Sequence, residues 1–81
     1  MKKYKKEFKV LTSEYMNCSI NGNPKKRLVL EDSENNVFIA TTGTDCLCGY
    51  ITYYTGSKYI FTYHYTKTGN IMIDYAEEVK Q

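Results

Sequence analysis

The segment from Lys58 to Tyr75, KYIFTYHYTKTGNIMIDY, decides the fold because it encodes two β-strands joined by a tight turn. β-Branched and aromatic residues fill both arms, which is typical of pleated, half-buried strands. Between the arms, the sequence TKTGN at positions 66–70 predicts a type I turn followed by a glycine in the left-handed region. We therefore expect a β-hairpin with a one-residue bulge at Gly69.

This turn also fixes the expected register of the hairpin. With Thr66 facing the bulge, the predicted cross-strand pairs are Tyr65–Ile71, Tyr63–Ile73 and Phe61–Tyr75. Side chains alternate along a strand, so these six residues share one bulky apolar face, which we place against the core. The opposite face is mixed and carries Ile60, Thr62 and His64 against Ala76, Asp74 and Met72.

Length and charge define one small domain, residues 1–81, with an uneven charge distribution. Eight of the eleven Lys and Arg residues, but only two of the nine acids, lie in residues 1–27, so the charge is +6 there and −4 in the remainder. Such an asymmetry steers anionic partners towards one end of a protein. Residues 1–6 and 77–81 are too charged to be held tightly, and we expect both ends to be loose.

The cysteines and the hydropathy pattern indicate the setting. Three cysteines, an odd number, do not suggest a disulfide framework. No apolar segment of the kind found in signal peptides follows the N-terminal lysines, and no apolar run approaches the ~20 residues of a membrane span. We expect reduced cysteines and a cytoplasmic protein with no membrane contact.

The rest of the chain predicts three earlier strands and one helical turn. Apolar residues at even positions from Phe8 to Ile20 predict a long first strand that bends near Ser13-Glu14. After Asn21-Gly22, residues 25–31 form a second strand with Leu28 and Leu30 inward, and residues 37–42 form a third. A short helix near Cys46–Gly49 precedes the hairpin. This order is that of the OB-fold, an all-β five-stranded barrel, with an SH3-like barrel as the alternative.

Two turn patterns carry a family resemblance. The chain has Asn21-Gly22-Asn23-Pro24-x-x-Arg27 and, later, Tyr63-x-Tyr65-Thr66-x-Thr68-Gly69-Asn70-Ile71. Over most of residues 13–75 it resembles small β-proteins of phages and mobile elements. The resemblance implies an origin in a mobile element and carries over no activity and no functional residue.

Catalytic and metal-binding signals are sparse. His64, the only histidine, lies on the mixed face of the hairpin, and nothing in the sequence brings a thiol beside it to form a Cys–His pair. Together with Cys18, Cys46 and Cys48 it would make up the ligands of a Cys₃His zinc site, but a Cys-x-Cys pair is tighter than the usual spacing. We therefore expect a protein that is not an enzyme and that holds no metal or other cofactor.

Binding of single-stranded nucleic acid is the leading functional hypothesis. OB-folds bind single strands with a basic groove and with aromatic side chains on which bases stack. The sequence offers a basic cluster at the start of strand two and aromatics in the loop before strand four. The candidate site residues are Lys25, Lys26, Arg27, Tyr53, Tyr54 and His64. One observation argues against this hypothesis: the chain has a single arginine, and arginine binds phosphate better than lysine does.

A protein partner is the alternative ligand. Tyrosine-rich surfaces form good interface anchors, and the resemblance to phage proteins suggests a protein that binds and inhibits a host protein such as a defence nuclease. A third possibility is homodimerisation through an edge strand, because the outer face of the hairpin carries no blocking lysines. The sequence does not choose among these partners and leaves the oligomeric state open.

Overall fold

The computed structural model describes residues 2–18, 22–43 and 47–79, with the side chain of Cys18 excepted. Five strands and one 3₁₀ turn follow one another along this part of the chain. Their bounds are β1 Tyr4–Cys18, β2 Pro24–Glu31, β3 Val37–Thr42, the 3₁₀ turn Leu47–Tyr50, β4 Lys58–Tyr65 and β5 Ile71–Glu78. No helix in the described residues is long and apolar enough to cross a membrane.

The strands close into a barrel in the order β1-β2-β3-β5-β4. The long strand β1 closes it by pairing twice, with β4 through residues 4–9 and with β2 through residues 9–18. All neighbours are antiparallel except β3 and β5, which run parallel over three residue pairs. The predicted OB-like order is confirmed, and the 3₁₀ turn lies between β3 and β4 as expected.

Most of the hairpin prediction is confirmed. Tyr65 pairs with Ile71, and Tyr63 pairs with Ile73. The turn closes through the Thr66 amide, which donates to the Asn70 carbonyl oxygen at 2.8 Å, and Gly69 has φ 84°. Phe61, Tyr63 and Ile73 are buried as predicted, with at most 6 % of each residue exposed.

The predicted pair Phe61–Tyr75 is wrong because β5 contains a bulge. The register passes from Tyr63–Ile73 to Thr62–Tyr75, so Asp74 is an extra residue on β5. Such an extra residue reverses the facing of every side chain beyond it. Phe61 therefore pairs with the buried Ala76, which was predicted to face outward, and Tyr75 is 60 % exposed.

The first strand also departs from the prediction. It begins at Tyr4, because residues 4–9 pair with β4, so residues 4–6 are not loose. It has two register shifts, between Val10 and Thr12 and between Tyr15 and Asn17, in place of one bend near Ser13-Glu14. Each shift adds local twist and lets a 15-residue strand follow the barrel wall. At the other end, β5 continues through Glu78, past the expected start of a loose tail.

One glycine is required by close packing of the backbone. A Cβ on Gly49 would overlap the carbonyl oxygen of Pro24, so the 3₁₀ turn lies directly against the start of β2. The helical turn therefore includes Gly49, which the sequence analysis had taken as its end. Of the residues expected to open that turn, 44–46 lie outside the described part of the chain, as does Asn21 of the first predicted hairpin.

The core fills the barrel with aromatic rings from β1 and β4. Phe8, Tyr59 and Phe61 are at most 2 % exposed, and Leu28 and Leu30 face inward as predicted. Tyr53 joins this core from the loop before β4, with its ring centroid 5.1 Å from that of Tyr59. The tyrosines supply much of the core volume. The Tyr53 hydroxyl donates to a backbone carbonyl oxygen of the 3₁₀ turn, and the Tyr59 hydroxyl accepts from the Tyr54 amide.

Candidate functional site

The predicted basic cluster on β2 is largely engaged within the protein. The Lys26 ammonium donates to the Ile51 carbonyl oxygen at 2.6 Å and lies 5.6 Å from the centre of the Tyr53 ring. The Arg27 guanidinium donates to the Glu14 carboxylate at 3.1 Å. Lys25, on the same strand, is half-buried and has no ion pair to a described carboxylate. Two of the three cations predicted to bind phosphate therefore have partners in the fold.

The two loop tyrosines have different environments. Tyr53 is 6 % exposed, and its hydroxyl donates to the Cys48 carbonyl oxygen at 2.6 Å. Burial raises the pKa of the Tyr53 phenol well above its usual value, and the neighbouring Tyr59 adds to the rise. A base cannot stack on this buried ring in the folded barrel. Tyr54 is 63 % exposed, and its ring remains accessible.

His64 lies on the outer face of the hairpin, as predicted. Its Nδ1 is 2.7 Å from Oδ2 of Asp74, the extra residue of the bulge. The Lys3 ammonium lies 3.8 Å from the same carboxylate oxygen. No contact links this group to Lys25, Lys26, Arg27, Tyr53 or Tyr54 in the described part of the chain, so the structure divides the predicted site residues between β2 with its neighbouring loop and the hairpin.

The cysteine prediction requires a correction. Cys48 is disulfide-bonded, whereas the odd number of cysteines had predicted reduced thiols. Its partner is not among the described side chains; Cys46 and the side chain of Cys18 lie outside them. A cysteine binds zinc as a thiolate, so Cys48 in a disulfide cannot serve as a zinc ligand. Among the described residues, no group of three potential metal ligands is found.

A different group of aromatic residues is exposed at the hairpin end of the barrel. Tyr4 on β1 stacks on Tyr63 of β4 with centroids 5.6 Å apart, and Tyr65 meets both rings edge-on at 5.4 and 5.9 Å. We call these three residues the tyrosine cluster. Tyr63 is its buried base, while Tyr4 and Tyr65 are 37 % and 46 % exposed.

Burial and neighbouring groups shift the titration of Tyr63. Burial raises the pKa of the Tyr63 phenol, and a hydrogen bond and electrostatic repulsion from Tyr65 add to the rise. The Lys6 ammonium acts in the opposite direction and lowers this pKa. The cluster therefore combines two accessible rings with a nearby cation.

One lysine without an acidic partner lies beside the tyrosine cluster. The Lys2 ammonium lies 5.1 Å from the centre of the Tyr4 ring, a cation–π contact. Lys3 and Lys6 also flank Tyr4 but form ion pairs with Asp74 and Asp32. Lys2 is exposed and has no ion pair to a carboxylate within the described residues.

Sequence reasoning missed Tyr4 and Tyr65 as surface aromatics. Tyr4 falls within the segment expected to be loose, and Tyr65 was placed in the core. One signal was available: Tyr4 shares the even-numbered parity of Phe8 and Val10, which extends the strand pattern towards the N-terminus. The partial exposure of Tyr65 follows from its place as the last residue of β4, where the barrel wall ends.

Comparisons of this chain with protein-family models, with curated proteins and with solved structures give no match.

Proposed function

We propose that this barrel is a non-catalytic module that binds single-stranded nucleic acid at the tyrosine cluster. The observation that carries the proposal is the placement of two accessible rings, Tyr4 and Tyr65, with the unpaired Lys2 ammonium 5.1 Å from the centre of the Tyr4 ring. Bases of any sequence stack on aromatic rings, and each stack is worth ~1–3 kcal/mol. Lys2 would bind a phosphate next to the stacked base.

The OB-like strand order supports the same function. Proteins with this barrel bind oligonucleotides with loops that include the β4–β5 connection. Here that connection is the turn 66–70, which follows Tyr65 directly and carries Lys67. The proposed site therefore moves from the Lys25–Arg27 region of β2 to the hairpin end of the barrel, and the class of ligand stays the same.

The test is a fluorescence titration with short DNA and RNA strands at low salt. Tyr65→Ala should weaken binding by ~1–3 kcal/mol and leave the salt dependence unchanged, because stacking releases no counterions. Lys2→Ala should weaken binding to all sequences and reduce the slope of log K against log salt by about 1. Tyr50→Ala, which removes a ring 61 % exposed in the 3₁₀ turn, is the matched control.

Two further variants separate the proposed site from the surface that the sequence indicated. Tyr54→Ala and Lys25→Ala remove an exposed ring and a cation there without touching the tyrosine cluster. If these variants weaken binding and Tyr65→Ala does not, the ligand binds at that surface and the proposed site is wrong. If no oligonucleotide binds at high micromolar protein, the nucleic-acid function itself is contradicted, and a protein ligand becomes the leading hypothesis.

A further inference from the structure

The outer face of β1, β2 and β3 carries an apolar row across three strands. Val29 on β2 pairs with Thr12 on one side and with Ile39 on the other. Ile39 is 64 % exposed, and Val37, two residues earlier on β3, is 57 % exposed. Aliphatic side chains of β2 and β3 thus face solvent in this row, with the methyl group of Thr12 completing it on β1.

A charged row lies on each side of this apolar row. In the first charged row, Glu14 on β1 pairs with Arg27 on β2, and their side chains are joined at 3.1 Å. In the second charged row, Lys9 on β1 pairs with Glu31 on β2, with the ammonium and carboxylate 3.8 Å apart. We call the apolar row and the two charged rows together the three-strand face.

The two charged rows have opposite polarity. From β1 to β2, the first charged row runs from negative Glu14 to positive Arg27, and the second runs from positive Lys9 to negative Glu31. The face is therefore neutral overall, and each cation on it already has a carboxylate beside it. Such a surface should bind phosphate groups weakly, because phosphates bind where unpaired positive charge accumulates.

This charge pattern is complementary to itself. A two-fold axis along the apolar row, perpendicular to the strands, would place the first charged row of one copy over the second charged row of the other. Glu14 would then face Lys9 of the second copy, and Arg27 would face Glu31 of the second copy. The apolar row would lie on its own symmetry mate. Each contact would occur twice, as an isologous interface requires.

We propose that the three-strand face binds a second copy of this chain and forms a two-fold dimer. The reversed order of charges selects this occupant, because only a copy with the same face matches all four charges and the apolar row together. This surface is distinct from the tyrosine cluster, so the dimer leaves both proposed binding sites accessible. It also differs from pairing through a hairpin edge, which the sequence had suggested.

The small area of the face predicts a weak dimer. The face is three strands wide, with the strands ~4.8 Å apart, and three rows long, with a step of two residues from one row to the next. With its side chains it measures roughly 14 by 18 Å. That footprint is well below the ~800 Å² per partner of a standard interface. The dimer is therefore expected to dissociate in the micromolar to millimolar range, rapidly and reversibly.

Sedimentation equilibrium over a concentration series is the first test. Wild-type protein should pass from monomer to dimer as its concentration rises to about 1 mM. A dissociation constant of about 1 mM or below would therefore be detected. Ile39→Lys should abolish the dimer, because a lysine would be buried on its symmetry mate. Leu47→Lys is the matched control, since Leu47 is 70 % exposed in the 3₁₀ turn and lies off the face. A wild-type protein that stays monomeric throughout would overturn the proposal.

Inverting one charged row tests the two-fold geometry. The double variant Glu14→Arg with Arg27→Glu keeps the ion pair within each chain, but it places like charges opposite each other across the proposed axis. We expect it to raise the dissociation constant about tenfold or more. Adding Lys9→Glu and Glu31→Lys inverts the second row as well and should restore dimerisation to within about threefold of wild type.

Each outcome of the inversion experiment decides the geometry. A double variant that dimerises as well as wild type contradicts it, as does a quadruple variant that fails to regain affinity while remaining folded by circular dichroism. If the double variant does not fold, the comparison of Ile39→Lys with Leu47→Lys still decides whether the three-strand face is the interface.

Discussion

At the scale of single residues, the Asp32 carboxylate accepts several hydrogen bonds at once. It lies just after β2, is 7 % exposed, and accepts hydrogen bonds from the backbone amides of Glu34 and Asn36 at 2.9 Å. The Lys6 ammonium donates to its other oxygen at 3.1 Å. Burial alone would raise the pKa of this carboxyl, but the hydrogen bonds outweigh it and lower the pKa from 3.8 to about 2.

Asp32 should therefore contribute stability that depends on pH. Because its pKa is lower in the folded than in the unfolded protein, its contribution is complete above about pH 4 and is lost as the pH falls towards about 2. Asp32→Asn should be less stable than wild type at neutral pH, and the difference should shrink across that acid range. Urea unfolding midpoints at several pH values measure it. Glu34→Gln in the same turn is the control, and a difference as large at about pH 2 as at neutral pH would contradict the prediction.

At the scale of secondary structure, the β4–β5 hairpin shows how far local sequence determines register. Gly69 and its turn fix the pairs nearest to them, Tyr65–Ile71 and Tyr63–Ile73, because a turn type dictates the alignment of the strands that it joins. The bulge at Asp74 cannot be read from the turn. Asp74 itself faces His64 and Lys3, and the small Ala76 takes the inward position beside Phe61. These contacts arise only after the barrel has closed.

The bulge makes a direct prediction about two aromatic residues of the hairpin. Phe61→Ala should lower the free energy of unfolding by ~3–5 kcal/mol, because Phe61 is fully buried and its loss leaves a cavity. Tyr75→Ala should change it by only about 0.5 kcal/mol, since Tyr75 is 60 % exposed on the other side of the bulge. Chemical denaturation of both variants measures these changes. A large loss of stability in Tyr75→Ala would contradict the bulge and favour the register in which Tyr75 pairs with Phe61.

At the scale of the whole molecule, the strand order could be predicted and the candidate site could not. Turn residues mark the limits of each strand in the sequence, so the order of elements follows from local signals. The environment of Tyr53 and Tyr4 depends on contacts between distant segments. Tyr53 is buried because its ring packs on Tyr59 and its hydroxyl reaches the Cys48 carbonyl oxygen. Tyr4 is ordered because β1 pairs with β4, a partner more than 50 residues away along the chain.

The disulfide of Cys48 gives a last prediction for the whole molecule. An odd number of cysteines argues against a disulfide framework, but a single disulfide needs only two cysteines close together in space. Cys48 lies within the 3₁₀ turn and is 4 % exposed, with its Sγ 3.8 Å from the Ile73 carbonyl oxygen. Since three cysteines less the two of one disulfide leave one, protein purified and denatured without reductant should show one thiol per chain, and three after reduction.

Reduction should also destabilise the fold, because a disulfide limits the freedom of the unfolded chain and typically contributes ~2–4 kcal/mol. Thermal unfolding with and without reductant measures this difference. Cys48→Ser is the control, since its unfolding temperature should no longer respond to reductant. Three thiols in the unreduced protein, with an unfolding temperature that reductant leaves unchanged, would show that the cysteines are reduced, as their odd number first suggested. The protein would then be compatible with a reducing compartment, where disulfides are rare.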